Sequence, residues 1–245
     1  MNFHENSAPR LHVPASAFPE HRVDPKLSVA TLQRLFPAES PAFIEGLVRR
    51  SGIADRALAR DPETLFSGEG FGARNDAYRG IALEVGAEAA RSALERAGVL
   101  PDEVDVLIDV SCTGLSLPAL DVALVPALGL RPQTRRVPIA EAGCAAGALG
   151  LGLAAQFAAG GATVLVLATE LCSLTLVPDD ASRANLISGV LFGDGASAAV
   201  VSPKGTKEKS VPIRAVGSHL FPGTADVMGF DIGEAGLGIV LKKEL

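Results

Sequence analysis

Three runs of small and branched aliphatic residues constrain this chain most: "VDVLIDVS" from Val104, "TVLVLATEL" from Thr163 and "ASAAVVSP" from Ala196. None alternates polar with apolar, so strands made from them must be covered on both faces, as in a largely parallel sheet flanked by helices. The intervening segments supply those helices. "DAYRGIALEVGAEAARSALERAGVLP" places Ile81, Val85, Ala89, Ala93 and Ala97 at helical spacing, with Gly98 where a C-cap belongs and Pro101 beyond it. "RRVPIAEAG" reads as a strand, "CAAGALGLGLAAQFAAGG" as a small-residue helix and "NLISGVLFGDGASAAVVSP" as helix, tight Asp-Gly turn and strand. The fold class is therefore α/β. After "KGTKEK", a charged turn, "VPIRAVGSHLF" and "GLGIVLKKEL" read as strands of a final antiparallel section.

Composition narrows the class of function. The apolar stretch Ala142 to Ala168 is cut by Gly160 and Gly161 into pieces that read as a buried helix and a buried strand, so no membrane span is expected. The formal net charge of −6 comes without a basic block and would repel nucleic acid. Residues 1–25 contain no apolar run of the secretory kind and read as an arm leading into the fold. Three cysteines, Cys112, Cys144 and Cys172, lie far apart with no Cys/His pair at zinc spacing. Free thiols in a cytoplasmic protein without a metal fit that pattern.

Among candidate groups, Cys144 stands where strand turns into helix. There the helix dipole and unpaired N–H groups favour a thiolate, while a small buried core residue is the other reading. His4, His12 and His21 fall in the arm, leaving His219, placed at a strand end, as the one histidine within the folded pattern. The "FGDGAS" run lacks the Walker lysine and the Rossmann spacing. Arg49, Arg50, Arg56 and Arg60 form a basic cluster that reads as a solvated helix face, with phosphate binding as the alternative.

Taken together, "GCAAG", "ELCSLT" from Glu170, "LFGDGASAAVV" from Leu191 and "HLFPGTADVMGFDIGEAGLGIVL" from His219 closely resemble the type III polyketide synthases, the chalcone and stilbene synthase family. The resemblance runs from about Lys26 to the last residue. It implies a thiolase-type fold of two similar halves in a five-layered αβαβα architecture, of which residues 26–225 would be the N-terminal domain and 226–245 the truncated start of the C-terminal one. It also implies a homodimer that uses CoA thioesters as substrates and no further cofactor. A starter acyl-CoA would load on Cys144 as a thioester, and malonyl-CoA would lose carbon dioxide and extend it by Claisen condensation. Phe192 matches the gatekeeping phenylalanine between CoA tunnel and cavity. Cys172 and Thr175 match walls that shape chain length, Cys112 and Thr113 match the starter pocket, and Leu117 matches a residue reaching into the partner subunit. Gly229 corresponds to a cavity glycine with slightly different local spacing. Of the CoA-binding basic residues only Arg50 has a counterpart, because Phe43 and Gly46 occupy the other positions.

The resemblance also implies a catalytic histidine and asparagine that these 245 residues do not supply, His219 being a poor match. Two classes follow: the N-terminal part of a condensing enzyme making an alkylresorcinol, alkylpyrone or related phenolic, or a non-catalytic partner of an intact homologue. Within enzymes the alternative is a 3-oxoacyl-ACP synthase III, which "ELCSLT", "LFGDGA" and "VMGFD" disfavour. In either class an uncovered apolar surface is expected.

Overall fold

The computed structural model describes residues 1–4, 7–65, 69–203 and 210–242. In chain order, β1 (Arg10–His12), β2 (Ala15–Ala17) and β3 (His21–Val23) precede α1 (Pro25–Leu35), α2 (Pro41–Ser51), β4 (Arg56–Leu58) and α3 (Phe71–Ala97). Then come β5 (Val106–Val110), α4 (Asp121–Leu128), β6 (Arg135–Ile139), α5 (Ala146–Ala159) and β7 (Val164–Leu171). The last elements are α6 (Arg183–Leu191), β8 (Asp194–Ser202), β9 (Ser210–Pro212), β10 (Met228–Gly233) and β11 (Gly236–Leu241). They fall into two compact units: residues 1–17, 82–170 and 195–220, and residues 18–81, 171–194 and 221–245.

The first unit is built on a seven-stranded sheet in the order β6-β5-β7-β8-β1-β9, with β2 also paired to β8. β5 is parallel to β6 and β7, so that Ile108 lies opposite both Val137 and Val166. β1 and β2 run antiparallel to β8, and the sheet is mixed. Both faces are covered, as the unalternating strands require. Val106, Ile108, Val110, Val164 and Val166 pack on Ala146, Ala154 and Ala158 of α5. Small residues let that helix stand close: a Cβ on Gly150 would lie 3.3 Å from Val110. On the other face, Gly86 of α3 packs against Thr169, Leu167 and Leu124. Each fully buried aliphatic side chain contributes on the order of 2 kcal/mol, and this two-sided core is the main stabilising term of the unit.

In the second unit, Asp24, Ser40 and Ser182 cap the starts of α1, α2 and α6 by accepting from Leu27, Phe43 and Asn185 N–H groups. Gly52, at φ +69°, closes α2 in the left-handed conformation. The three helices share a core of Leu32, Phe36, Ile44, Val48, Leu186 and Val190. β3 pairs with β4, and β10 with β11 form a hairpin running from Met228↔Leu241 to Gly233↔Gly236.

Three expectations change, and one gains detail. The arm of residues 1–25 leads into the fold by strand pairing: β1 and β2 run antiparallel to β8, and His12 is buried with Nε2 2.8 Å from Ser202 Oγ. The backbone groups of these short segments find partners in the sheet. Asp194 and Gly195 form no turn but open β8, because the Asp194 carboxylate is buried rather than in water. "VPIRAVGSHLF" is strand within β9 and in its continuation beside the N-terminus, where the Ile213 N–H donates to the Pro9 carbonyl at 2.8 Å and Ala215 bridges Asn2, but not beyond Val216. His219 accordingly lies in an exposed irregular segment and not at a strand end. The "KGTKEK" turn lies outside the described residues.

Candidate active site

In the first unit the chain leaves β6 and makes a 3-10 turn, Gly143–Ala145, before α5 begins. Gly143 has φ +55°, a conformation that costs an L-residue with a side chain about 1 kcal/mol. The next residue, Cys144, is exposed. No side chain caps α5, and the N–H of its first residue, Ala146, donates to the Gly143 carbonyl of the preceding turn. A Cβ on Gly143 or Gly147 would meet nothing within 4 Å, which leaves open space beside the sulfur.

The same unit holds Glu170, near the end of β7. Its carboxylate accepts from the Cys112 N–H at 3.1 and 3.2 Å and from Thr113 Oγ1 at 2.6 Å. Burial raises the Glu170 pKa above the ordinary carboxyl value, and these donors restrain the rise. The Cys112 thiol is pushed up to about 12 by burial and by the neighbouring Glu170 carboxylate. Cys112 is therefore a neutral thiol at physiological pH and no nucleophile. Thr113 is buried, while Leu117 further along the same loop is 99% exposed.

In the second unit, Cys172 to Thr175 form a 3-10 turn that follows β7 directly; the Thr175 hydroxyl donates to the Cys172 carbonyl at 2.8 Å. Phe192 is the C-cap of α6 and half-buried. Both border a small cavity of about 20 Å3, lined also by Ser28, Arg56 and Ser173. Gly229 lies on exposed β10 opposite Val240. Arg50 is exposed in the last turn of α2 and folds back over Gly46, with its Nη2 3.6 Å from where a Cβ would stand. Phe43 is partly buried on the helix core.

Cys144, Cys112, Thr113 and Leu117 thus belong to the first unit, and Cys172, Thr175, Phe192, Gly229 and Arg50 to the second. The basic cluster divides. Arg49 and Arg50 form a solvated helix end, but Arg56 is drawn inward on β4 and Arg60 ion-pairs with Glu69. The sequence placed Arg56 in the basic cluster and Asp194 in a turn, and marked neither these two nor Glu170 as a site residue. Glu170 and Asp194 lie inside two of the motifs singled out, and a lone acid in an apolar strand end was the available signal. Among the described residues no group of three or more His, Cys, Asp or Glu is placed to hold a metal. Nor is any helix there long and apolar enough to cross a membrane.

A mixed sheet covered on both faces, with an exposed cysteine on a glycine-led turn at the start of a helix packed on it, defines the N-terminal half of a thiolase-type fold. Comparison agrees. The crystal structure of 1,3,6,8-tetrahydroxynaphthalene synthase from Streptomyces coelicolor superposes with a TM-score of 0.88 at 31% identity, over 96% of this chain and 68% of that one. The Streptomyces griseus 1,3,6,8-tetrahydroxynaphthalene synthase is 34% identical over 95% of this chain and 63% of its own length. The Pseudomonas fluorescens phloroglucinol synthase is 31% identical over 95% and 67%. Residues 48–204 match the N-terminal domain of chalcone and stilbene synthases, and the chain belongs to that family, the type III polyketide synthases. It spans 56–63% of the length of the three tetrahydroxynaphthalene synthases it matches.

Proposed function

We propose that this chain supplies the nucleophile, gate and walls of a polyketide-forming site, loading an acyl-CoA on Cys144 for extension with malonyl-CoA. The carrying observation is the exposed Cys144 thiol, held on the Gly143 turn before an uncapped helix start. The thiolate attacks the acyl carbonyl, the tetrahedral oxyanion collapses, and CoA leaves as its thiolate, giving a thioester and releasing free CoA. Decarboxylation of malonyl-CoA then yields carbon dioxide and an enolate whose attack on the thioester forms the new carbon–carbon bond and returns the thiolate. In this reading Phe192 is the gate, Cys172 and Thr175 with Cys112 and Thr113 are walls, Gly229 lines the cavity and Arg50 meets CoA phosphate. Residues 1–245 hold no counterpart of the histidine and asparagine that the resemblance implies, so the reading assigns those two groups to no residue here.

The relatives' names support an aromatic polyhydroxylated product; an alkylresorcinol or related phenolic fits that class, and an alkylpyrone would be the lactone outcome of the same condensations. A homodimer in the cytoplasm completes the proposal, and the fully exposed Leu117 supports contact with a second copy. The test is mass spectrometry of the intact chain after incubation with acetyl-, hexanoyl- and lauroyl-CoA. A single acyl adduct that maps to Cys144 and vanishes in Cys144→Ala is expected. An unmodified chain, or an adduct that survives Cys144→Ala, would sink the assignment and favour a non-catalytic partner role.

A further inference from the structure

Two charged side chains of the second unit, neither of them on the path of the chemistry above, join the gate to the wall. Arg56 donates from Nη1 to the Phe192 carbonyl at 3.0 Å and to the Gly189 carbonyl, and from Nη2 to Ser28 Oγ at 3.0 Å. Phe192 is the C-cap of α6, where helix carbonyls lack partners, and a planar guanidinium bonded to two of them fixes the direction in which the chain leaves the helix. Two residues on, Asp194 is buried and holds the other side. Its Oδ1 accepts from the Ser173 N–H at 2.8 Å, and its Oδ2 accepts from the Ala59 N–H and from the Ser173 hydroxyl. Ser173 belongs to the Cys172–Thr175 turn. The Asp194 charge also favours the ionised form of Arg56, which burial opposes. Arg56 and Ser173, the partner of Asp194, both line the small cavity that Phe192 and Cys172 border.

We propose that Arg56 and Asp194 are positioning residues that lock Phe192 to the Cys172–Thr175 turn, and that the spacing they set selects the length of acyl chain the site admits. This rests on the reading of Phe192, Cys172 and Thr175 as gate and walls. Simple helix capping by Arg56 would make the same bonds, but its loss would lower stability without changing which chain is chosen. Selectivity is therefore the discriminating measurement.

The full chain is offered acetyl-CoA and lauroyl-CoA in competition, and the ratio of the two Cys144 adducts is read by mass. Arg56→Met, which keeps the stem and removes the donors, shifts that ratio by about tenfold, the scale on which a pocket distinguishes chain lengths. Arg56→Lys, still able to donate to the Phe192 carbonyl, recovers most of the parent ratio. Ser173→Ala, which removes one bond to Asp194, shifts it in the same sense as Arg56→Met. Folded Arg56→Met and Ser173→Ala chains with the parent ratio would overturn the proposal, and if Arg56→Met does not fold, Ser173→Ala decides alone. A second readout separates this from the activity itself. Maleimide alkylation of Cys172, followed by peptide mass, rises about tenfold relative to Cys144 in the same variants if the lock is lost. If the parent chain takes no acyl group, the activity reading falls and alkylation judges the lock: a relative rate unchanged in both variants refutes it.

Discussion

The glycines around Cys144 perform different tasks, and the difference is a matter of ångströms and dihedrals. Gly150 is small because a Cβ would press on Val110 and Ile108 of β5, whereas Gly143 has room for a Cβ and is required for its φ of +55°. A Gly143→Ala change therefore acts through the backbone. It is expected to destabilise the chain by about 1 kcal/mol and to displace the cysteine that follows. Alkylation of Cys144 by iodoacetamide, compared between parent and variant with thermal melts alongside, checks this; unchanged rate and melting point would show that the turn tolerates a side chain. The stretch "EAGCAAG" made the cysteine legible, but it left nucleophile and core residue both open. Family motifs weighted the first, and the exposed position of the thiol removes the second. Glu170, Arg56 and Asp194 were not legible in the same way. Their partners lie 21 to 136 residues away in sequence, and a side chain bound to such distant groups carries no local periodicity.

At the scale of elements, the apolar strands and the long α3 announced themselves through composition and spacing, while β1, β2 and β3, three residues each, are too short to show a period. α4 was hidden for another reason: its start is fixed from a neighbouring strand. Asp121, its first residue, is fully buried and accepts from Arg136 Nη1 of β6 at 3.0 Å. Asp109 of β5 takes a hydrogen bond from the Asp121 backbone, so the two acids bracket the loop that carries Cys112, Thr113 and Leu117. Asp109 Oδ1 and Asp121 Oδ2 are both buried without a partner among the described residues. Burial, followed by the charges of Asp121 and Glu170, raises the Asp109 pKa to about 7. The folded chain then binds a proton at Asp109 more tightly than the unfolded chain, so stability is greatest below about pH 4, falls by about 1.4 kcal/mol per pH unit above it, and has lost this contribution beyond about pH 7. Asp194, raised to about 6 by burial, adds a slope of the same sign. Asp109→Asn keeps the size of the side chain and removes one titration. Urea melts should show it more stable than the parent at pH 8 and no better at pH 5; an equal difference at both values would contradict the raised Asp109 pKa.

For the whole molecule the question is what its uncovered apolar side chains meet in solution. Leu117 is 99% exposed, Leu220 84%, Ile232 72% and Phe221 67%, side chains whose exposure in water forgoes on the order of 2 kcal/mol each. With a net charge of −6 the copies repel weakly at long range, so low salt opposes association and moderate salt permits it. A stable dimer buries about 800 Å2 per partner, far more than one leucine offers, so in the proposed homodimer Leu117 would be one anchor within a wider contact. Replacing it with aspartate places a charge at the centre of that contact without disturbing any core position. Sedimentation velocity across a concentration series should then show the parent associating and Leu117→Asp shifted toward the monomer by about tenfold or more in dissociation constant. The same variant keeps its melting point, because a fully exposed side chain supports nothing within its own copy. A parent that sediments as a monomer throughout, or a Leu117→Asp chain that associates as the parent does, would remove Leu117 from any subunit contact and leave the homodimer without its main support.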